Sequence, residues 1–329
     1  MTRPKVVVTN NAFPETLQIL RARFELVCNN SHDALDEYAL REAARDAWGI
    51  LAFMPDRVDS ALLDACPELR IVACALKGFD NFDVHACAKR GVWLTIVPDL
   101  LTEPTAELAV GLAIALGRHV SSADRHVRSG SFTGWRPTFY GRSLDGSRIA
   151  IVGCGRVGQA IARKLAGFSA EIAMTDTDPD APTAANARRA ELAVAIRDAD
   201  VVFLATPLLP STLQMVNADW ISQLKRGALL INPARGSVVN ERAVADALES
   251  GYLGGYAADV FEFEDWARMD RPRVIEPRLL ELSDRTLFTP HIGSAVEAVR
   301  RQIELDAAVN LLEAAEGKRP HGAIQDLLR

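Results

Sequence analysis

The feature that most constrains this chain is Gly153-Cys154-Gly155-Arg156-Val157-Gly158, which follows the apolar run Arg148-Ile149-Ala150-Ile151-Val152 and opens a helical stretch from Gln159 to Ala166. A strand, a glycine-rich turn and a helix in that order form a dinucleotide fingerprint. The first glycine makes the turn, the second lets a pyrophosphate approach the backbone, and the third lets helix pack on strand. The helix start supplies N–H donors and positive potential to the phosphates. Asp176 ends the next apolar run, Glu171 to Thr175. A carboxylate there accepts hydrogen bonds from ribose hydroxyls and repels a 2′-phosphate, which predicts NAD rather than NADP. Gly153, Gly155, Arg156, Val157, Gly158, Asp176 and Thr177 are the predicted cofactor contacts.

Around the fingerprint, short apolar runs alternate with amphipathic stretches. Val6 to Val8, Phe24 to Cys28, Gly49 to Phe53, Arg70 to Ala75 and Val92 to Val97 form one series. Arg148 to Val152, Val201 to Leu204, Ala228 to Ile231 and Tyr256 to Val260 form a second. Such alternation predicts parallel sheets covered on both faces. At 329 residues the chain is too long for one ordinary core. The expected fold is therefore α/β with two doubly wound parallel-sheet domains, a Rossmann NAD-binding domain inserted into a flavodoxin-like substrate domain. The helical stretch Ala295 to Ala314 is too small to stand alone and returns to the first domain. The expected boundaries are residues 1–99 with 290–329 for the substrate domain and 100–289 for the NAD-binding domain. A helix from Thr102 to Leu116 is expected to bridge them, and the Ala/Pro/Asp-rich stretch Asp178 to Ala190 reads as a loop.

Composition excludes several classes. A net charge of −6 without a Lys/Arg block leaves no basic surface for nucleic acid. The longest apolar stretch, near Leu108 to Leu116, is too short for a membrane span, and the start is too short for a secretory signal. Five scattered cysteines without a C-x-x-C pair suit neither a disulfide framework nor a zinc site. The expectation is a cytoplasmic protein without metal.

Three polar residues fall at predicted strand ends or in the turns after them, where open parallel sheets bind ligands. They are Arg235 in Asn232-Pro233-Ala234-Arg235-Gly236, Glu264 after Asp259-Val260-Phe261-Glu262, and His291 in Thr289-Pro290-His291-Ile292-Gly293. Singly, each also reads as a surface Arg, a solvated Glu or a core His. Together with the fingerprint, these segments resemble the D-isomer-specific 2-hydroxyacid dehydrogenases in order and spacing over nearly the whole chain. The resemblance implies that Arg235 holds an anionic substrate, that His291 exchanges a proton with the reacting centre, and that Glu264 hydrogen-bonds and tunes the imidazole. It further implies cofactor contacts at Thr105, Pro207, Ala234, Asp259 and Gly293, and a homodimer formed through the NAD-binding domain, with the Thr102 to Leu116 helix as a contact.

Some segments depart from the generic pattern of that family. The loop Ala75-Leu76-Lys77-Gly78-Phe79-Asp80-Asn81-Phe82-Asp83 carries a lysine where a small or apolar residue is usual, and Arg300 adds a cation after the His291 turn. Met54-Pro55-Asp56, Trp135-Arg136-Pro137 and Glu264-Asp265-Trp266-Ala267-Arg268 depart as well. These features resemble the phosphite-oxidising branch, which transfers hydride from phosphite to NAD. That likeness implies Met54, Lys77, Arg235 and Arg300 at the substrate, with three cations against a small, largely dianionic oxyanion. It leaves open whether His291 or another group takes the proton. Two alternatives stand beside it: a D-2-hydroxyacid dehydrogenase acting on a small acid, and an NAD(H)-sensing binding protein.

Overall fold

The computed structural model describes residues 3–31, 33–265 and 268–324. The chain divides into two compact units. Unit 1 comprises Met1–Leu101, Trp266–Met269 and Ala295–Arg329, and unit 2 comprises Thr102–Asp265 and Asp270–Ser294. The main changes of unit thus fall after residues 101 and 294, where the sequence placed them after 99 and 289. Residues 290–294 stay with unit 2 because Asp259 holds their backbone, as described below. Residues 266 and 267 of the departing segment lie outside the described residues.

In unit 1 the elements run β1 (Lys5–Val8), α1 (Pro14–Arg21), β2 (Glu25–Cys28), α2 (Glu37–Ala44), β3 (Gly49–Ala52), α3 (Ser60–Ala65), β4 (Ile71–Cys74), α4 (Val84–Lys89) and β5 (Trp93–Thr95). All strand pairs are parallel, in the order β2-β1-β3-β4-β5. β3 and β4 are buried at every position, as strands covered on both faces must be. The short helices α2, α3 and α4 start on Asp36, Asp59 and Asp83, whose carboxylates accept from the backbone N–H groups of Ala39, Leu62 and Ala86. Each such cap is worth about 1 kcal/mol, which matters for helices of six to eight residues that cannot persist alone.

Unit 2 continues with α5 (Thr102–Gly117), α6 (Val120–Arg128), β6 (Arg148–Val152), α7 (Arg156–Lys164), β7 (Glu171–Thr175), β8 (Ala187–Arg189), α8 (Leu192–Arg197), β9 (Val201–Leu204), α9 (Ala218–Ser222), β10 (Leu229–Asn232), α10 (Glu241–Glu249), β11 (Gly255–Ala258), α11 (Pro277–Glu281) and β12 (Thr286–Phe288). The strand order is β12-β11-β10-β9-β6-β7-β8, with all pairs parallel. The chain leaves β6 toward β7 and later returns to its other side for β9, so the switch point lies at the carboxyl end of β6, beside the glycine turn.

Unit 1 is completed by α12 (Glu297–Ala315), whose Ile303, Ala307, Ala308 and Leu311 are fully buried. They join the core formed by β1, β3 and β4, where a Cβ on Gly49 would come within 2.9 Å of Leu311.

Two expectations are corrected. The Thr102 helix is not a bridge: α5 belongs to unit 2, where Ala106, Ala109, Leu112, Ala113 and Leu116 are spent on that unit's own core. The Asp178 to Ala190 stretch is not wholly loop, because Ala187–Arg189 pairs with β7 as an edge strand. Its polar, mostly exposed residues carry no alternation from which a strand can be read.

Candidate active site

At the switch point of unit 2, Gly153 has φ +115°, and a Cβ there would meet the Ala205 carbonyl oxygen at 2.4 Å. Gly158 approaches the Gly153 carbonyl so closely that a Cβ would sit 2.0 Å from it, whereas one on Gly155 would meet open space. Gly155 caps α7, a helix long enough to direct its N-terminal N–H groups at a phosphate. Arg156 is exposed and Val157 half-buried on its first turn. Thr206, beside the turn, has a buried hydroxyl with no partner. Pro207 follows it in a turn closed by the Thr212 hydroxyl, which donates to the Pro207 carbonyl at 2.7 Å.

Asp176 leaves β7 on the same side. Its carboxylate accepts from Cys154 N at 2.7 Å and from Asp178 N at 3.0 Å, which holds it against the glycine turn, and Thr177 beside it is exposed. An open second glycine, a helix N-terminus, an orphaned hydroxyl and an acid at the ribose position fit a bound dinucleotide without a 2′-phosphate.

The three polar candidates of unit 2 come together through backbone ties. Asn232 ends β10 fully buried. Its side-chain amide donates to the Arg235 carbonyl at 3.0 Å, and its side-chain oxygen accepts from Ala234 N at 3.1 Å. This turn places Arg235 half-buried, followed by Gly236, where any Cβ would collide with the Phe261 backbone. Asp265 accepts from Ser237 N at 2.6 Å and so ties the Arg235 turn to the segment that carries Glu264. Burial raises the Asp265 carboxyl above its ordinary range, while Ser237 and the Arg235 charge pull it back.

Glu264 divides its carboxylate. One oxygen accepts from Phe261 N at 2.7 Å and the other lies 2.9 Å from His291 Nδ1. His291 sits in a left-handed backbone conformation, φ +56°. Asp259 enforces that turn: its carboxylate accepts from Thr289 Oγ1 at 2.6 Å, Ile292 N at 2.8 Å and Gly293 N at 2.8 Å. Burial raises Asp259, and these donors together with His291 offset part of the rise. A Cβ on Gly293 would press on the Thr105 hydroxyl at 3.2 Å, so Thr105, Asp259 and Gly293 form one cluster. Sequence reasoning missed Asn232, Thr206 and Asp265. Their only signal was a polar residue at the end of, or just beyond, an apolar run.

Unit 1 carries its own group. Met54 follows β3 and Lys77 follows β4, both half-buried. Asn81 Nδ2 donates to the Met54 carbonyl at 3.0 Å, and Arg300 Nη1 donates to the Ala75 carbonyl at 3.2 Å, so Arg300 stands at the root of the Lys77 loop. Desolvation lowers the Arg300 pKa from its usual value. All five cysteines are free. Among the described residues no group of three or more His, Cys, Asp or Glu side chains is placed to hold a metal ion, and no helix is long and apolar enough to cross a membrane.

Residues 110–293 match the family described as D-isomer specific 2-hydroxyacid dehydrogenase, NAD binding domain. The chain is 34% identical over 325 residues to a glyoxylate reductase of Pyrococcus horikoshii, covering 97% of this chain and 95% of that protein. It is 35% identical over 328 residues to a glyoxylate reductase of Thermofilum pendens, covering 97% and 94%. Among solved structures, the TT0316 protein of Thermus thermophilus superposes with a TM-score of 0.89 at 32% identity, covering 97% of this chain and 99% of that one. An NADPH-dependent glyoxylate/hydroxypyruvate reductase from Sinorhizobium meliloti, solved with NADP and malonate, gives 0.83 at 30% identity, covering 98% and 97%.

Proposed function

We propose that phosphite is the substrate of this chain, which belongs to the D-isomer-specific 2-hydroxyacid dehydrogenase family and is an NAD-dependent oxidoreductase. The observation that carries the reading is Lys77, on a loop whose root accepts a hydrogen bond from the half-buried Arg300. A 2-hydroxy acid presents one carboxylate, which one Arg satisfies. Phosphite is a dianion with no carbon skeleton to bury, so its binding rests on charge-assisted contacts, each worth about 1.5–3 kcal/mol. Lys77, Arg235 and Arg300 are the three cations assigned to it, with Met54 completing the substrate set.

NAD, when bound, would supply the hydride acceptor; the Gly153–Gly158 turn would hold its pyrophosphate and Asp176 its ribose, and Thr105, Pro207, Ala234, Asp259 and Gly293 are assigned to the nicotinamide side. The oxygen of a water bonds to phosphorus while the P–H electron pair leaves as hydride, and a proton is released to solvent by way of a base. His291 is that base. Its Nδ1 faces the Glu264 carboxylate, so the N–H lies there and Nε2 keeps its lone pair for the water proton. Phosphite, NAD⁺ and water thus give phosphate, NADH and a proton.

A second reading is favoured by the activities named for the relatives: reduction of glyoxylate or another small 2-oxo acid, with Arg235 on the carboxylate and His291 as proton donor. One panel separates the two. NADH absorbance is followed with NAD and phosphite, D-glycerate or D-lactate, and with NADH and glyoxylate, and phosphate is identified by phosphorus NMR. Phosphite turnover exceeding that of every organic acid supports the first reading. Glyoxylate reduction without phosphite oxidation replaces it with the second.

The assembly proposed is a homodimer. The Thr102–Leu116 helix remains the proposed contact, extended by α6, which has no buried residue, and the segment after it. That stretch exposes Val120, Val127, Phe132, Trp135 and Tyr140.

A further inference from the structure

The sheet of unit 1 has its topological switch between β1 and β3: the chain goes from β1 outward to β2 and returns to the other side for β3. The crevice outside such a point is the usual place for a ligand in an open parallel sheet. Here a buried acid fills it. Asp56 is 3% exposed, and one carboxylate oxygen accepts from both the Thr9 hydroxyl and Phe53 N, the latter at 2.7 Å. Thr9 directly follows β1 and Phe53 directly follows β3. Burial pushes the Asp56 carboxyl up to about 6 despite both donors.

The next loop is sewn to the same place. Asn81 Nδ2 donates to the Met54 carbonyl at 3.0 Å, Val58 N donates to the Asn81 carbonyl at 3.2 Å, and Asp83 N donates to the Val58 carbonyl at 2.8 Å. Lys77 lies on the stretch between these ties and Ala75, where Arg300 is attached. Neither loop belongs to a regular element, and the sheet's pairing reaches them only at their roots, where Ala75 N donates to the Ala52 carbonyl at 2.8 Å and Val97 N to the Leu76 carbonyl at 2.9 Å. A buried carboxylate is an expensive way to close a strand end that an aliphatic side chain could fill, and such a group is retained where its hydrogen bonds specify geometry.

We propose that Asp56 and Asn81 are positioning residues that lock the Met54 loop and the Lys77 loop into one anion-holding surface. The inference rests on the reading that unit 1 holds the substrate anion, and not on which anion that is. The strut from Asp56 fixes the root of the Met54 loop at the sheet. The Asn81 amide then fixes the Lys77 loop to Met54.

The test uses the full chain with Asn81→Ala, Asp56→Ala and Asp56→Asn, assayed with phosphite and NAD and, separately, with glyoxylate and NADH. Asn81→Ala and Asp56→Ala are expected to raise KM for the anion that is turned over by about tenfold or more, with kcat changed by less than about threefold and KM for the dinucleotide unchanged. Asp56→Asn keeps an oxygen for Thr9 and Phe53 and is expected to stay within about threefold of the parent. A merely structural role would lower the active fraction, so kcat would fall with both KM values unmoved. An unchanged anion KM in folded Asn81→Ala, or a dinucleotide KM rising in step with it, overturns the proposal. If Asp56→Ala does not fold, Asn81→Ala and Asp56→Asn decide it. Failure of phosphite turnover with glyoxylate still reduced overturns the substrate reading alone, because the KM split is then read on glyoxylate. If neither anion is turned over, the anion-induced rise in Tm in the presence of NAD replaces KM as the readout.

Discussion

His291 Nδ1 lies 2.9 Å from Glu264 Oε2 on a residue whose backbone is left-handed. That conformation costs a non-glycine residue roughly 1–2 kcal/mol. Three hydrogen bonds to the Asp259 carboxylate hold the turn around it, and bonds to a charged group are worth about 1.5–3 kcal/mol each. Asp259 therefore sets where the imidazole stands, and Glu264 faces its Nδ1. His291→Asn suits the left-handed turn, because Asn tolerates it better than most residues, yet removes the proposed base. Turnover is expected to fall by about 10²–10⁴, with NAD affinity unchanged in a fluorescence titration. Near-parental turnover would assign the proton to another group.

Cofactor preference is expected to follow Asp176. Its carboxylate is already held by Cys154 N and Asp178 N, so it stands fixed beside the glycine turn, at the position proposed for the ribose. Asp176→Ala with Thr177→Arg removes that charge and supplies a cation. The NADP/NAD ratio of kcat/KM is expected to rise at least tenfold. An unchanged ratio would mean that the ribose is held elsewhere.

Much of this was legible in the residues because the informative signals were local. Gly153 and Gly158 serve a turn and a close approach that no side chain fits, and runs such as Gly49–Ala52 and Val201–Leu204, buried throughout, announce parallel strands by their length and composition. Arg235, Glu264 and His291 stand out as polar residues at or beyond strand ends. What escaped was held by contacts between distant segments. Asp265 meets Ser237 across 28 residues and Asp56 meets Thr9 across 47, and no spacing rule links such pairs. The short edge strand at Ala187–Arg189 is defined by its pairing with β7 and not by its own polar sequence.

The exposed apolar stretch gives the assembly prediction. Val127, Phe132, Trp135 and Tyr140 stand on a surface that the described chain leaves uncovered. Sedimentation at micromolar concentration is expected to show a dimer, and Val127→Asp with Trp135→Ser is expected to shift it toward monomer. A parental chain that sediments as a monomer removes the dimer and leaves the active-site reading intact.

Asp56 makes stability depend on pH in a defined sense. Its carboxyl is pushed up to about 6 in the folded chain against an ordinary 3.8, so the native state holds a proton that the unfolded chain has already lost. Stability from this group is thus gained as pH falls from above 6 toward 4 and is lost as pH rises through 6. The full difference is on the order of 3 kcal/mol, from about two pK units at 1.36 kcal/mol each. Asp56→Asn removes that dependence. Urea unfolding at pH 5 and pH 8 is expected to show a smaller pH difference in Asp56→Asn than in the parent, with the variant the more stable at pH 8. Equal pH slopes would mean that Asp56 does not titrate in this range.

Lys77 separates phosphite oxidation from hydroxy-acid chemistry, because it is the cation that one carboxylate does not require. On the proposed reading, Lys77→Ala removes from phosphite a charge-assisted contact of roughly 1.5–3 kcal/mol, and kcat/KM is expected to fall by about tenfold to a hundredfold. A 2-hydroxy or 2-oxo acid retains Arg235 for its carboxylate and its carbon atoms for apolar contact, so its loss is expected to be smaller. NAD affinity should not change, since the glycine turn and Asp176 belong to unit 2. Lys77→Arg supplies a planar fork in place of a compact ammonium and is expected to restore activity only in part. Steady-state kinetics of both variants on phosphite and on glyoxylate, with phosphate identified by phosphorus NMR, give the comparison. Equal losses on the two substrates would make Lys77 a general anion contact, and no loss on phosphite would return the lysine to an ordinary loop residue and leave glyoxylate reduction as the better account of this chain.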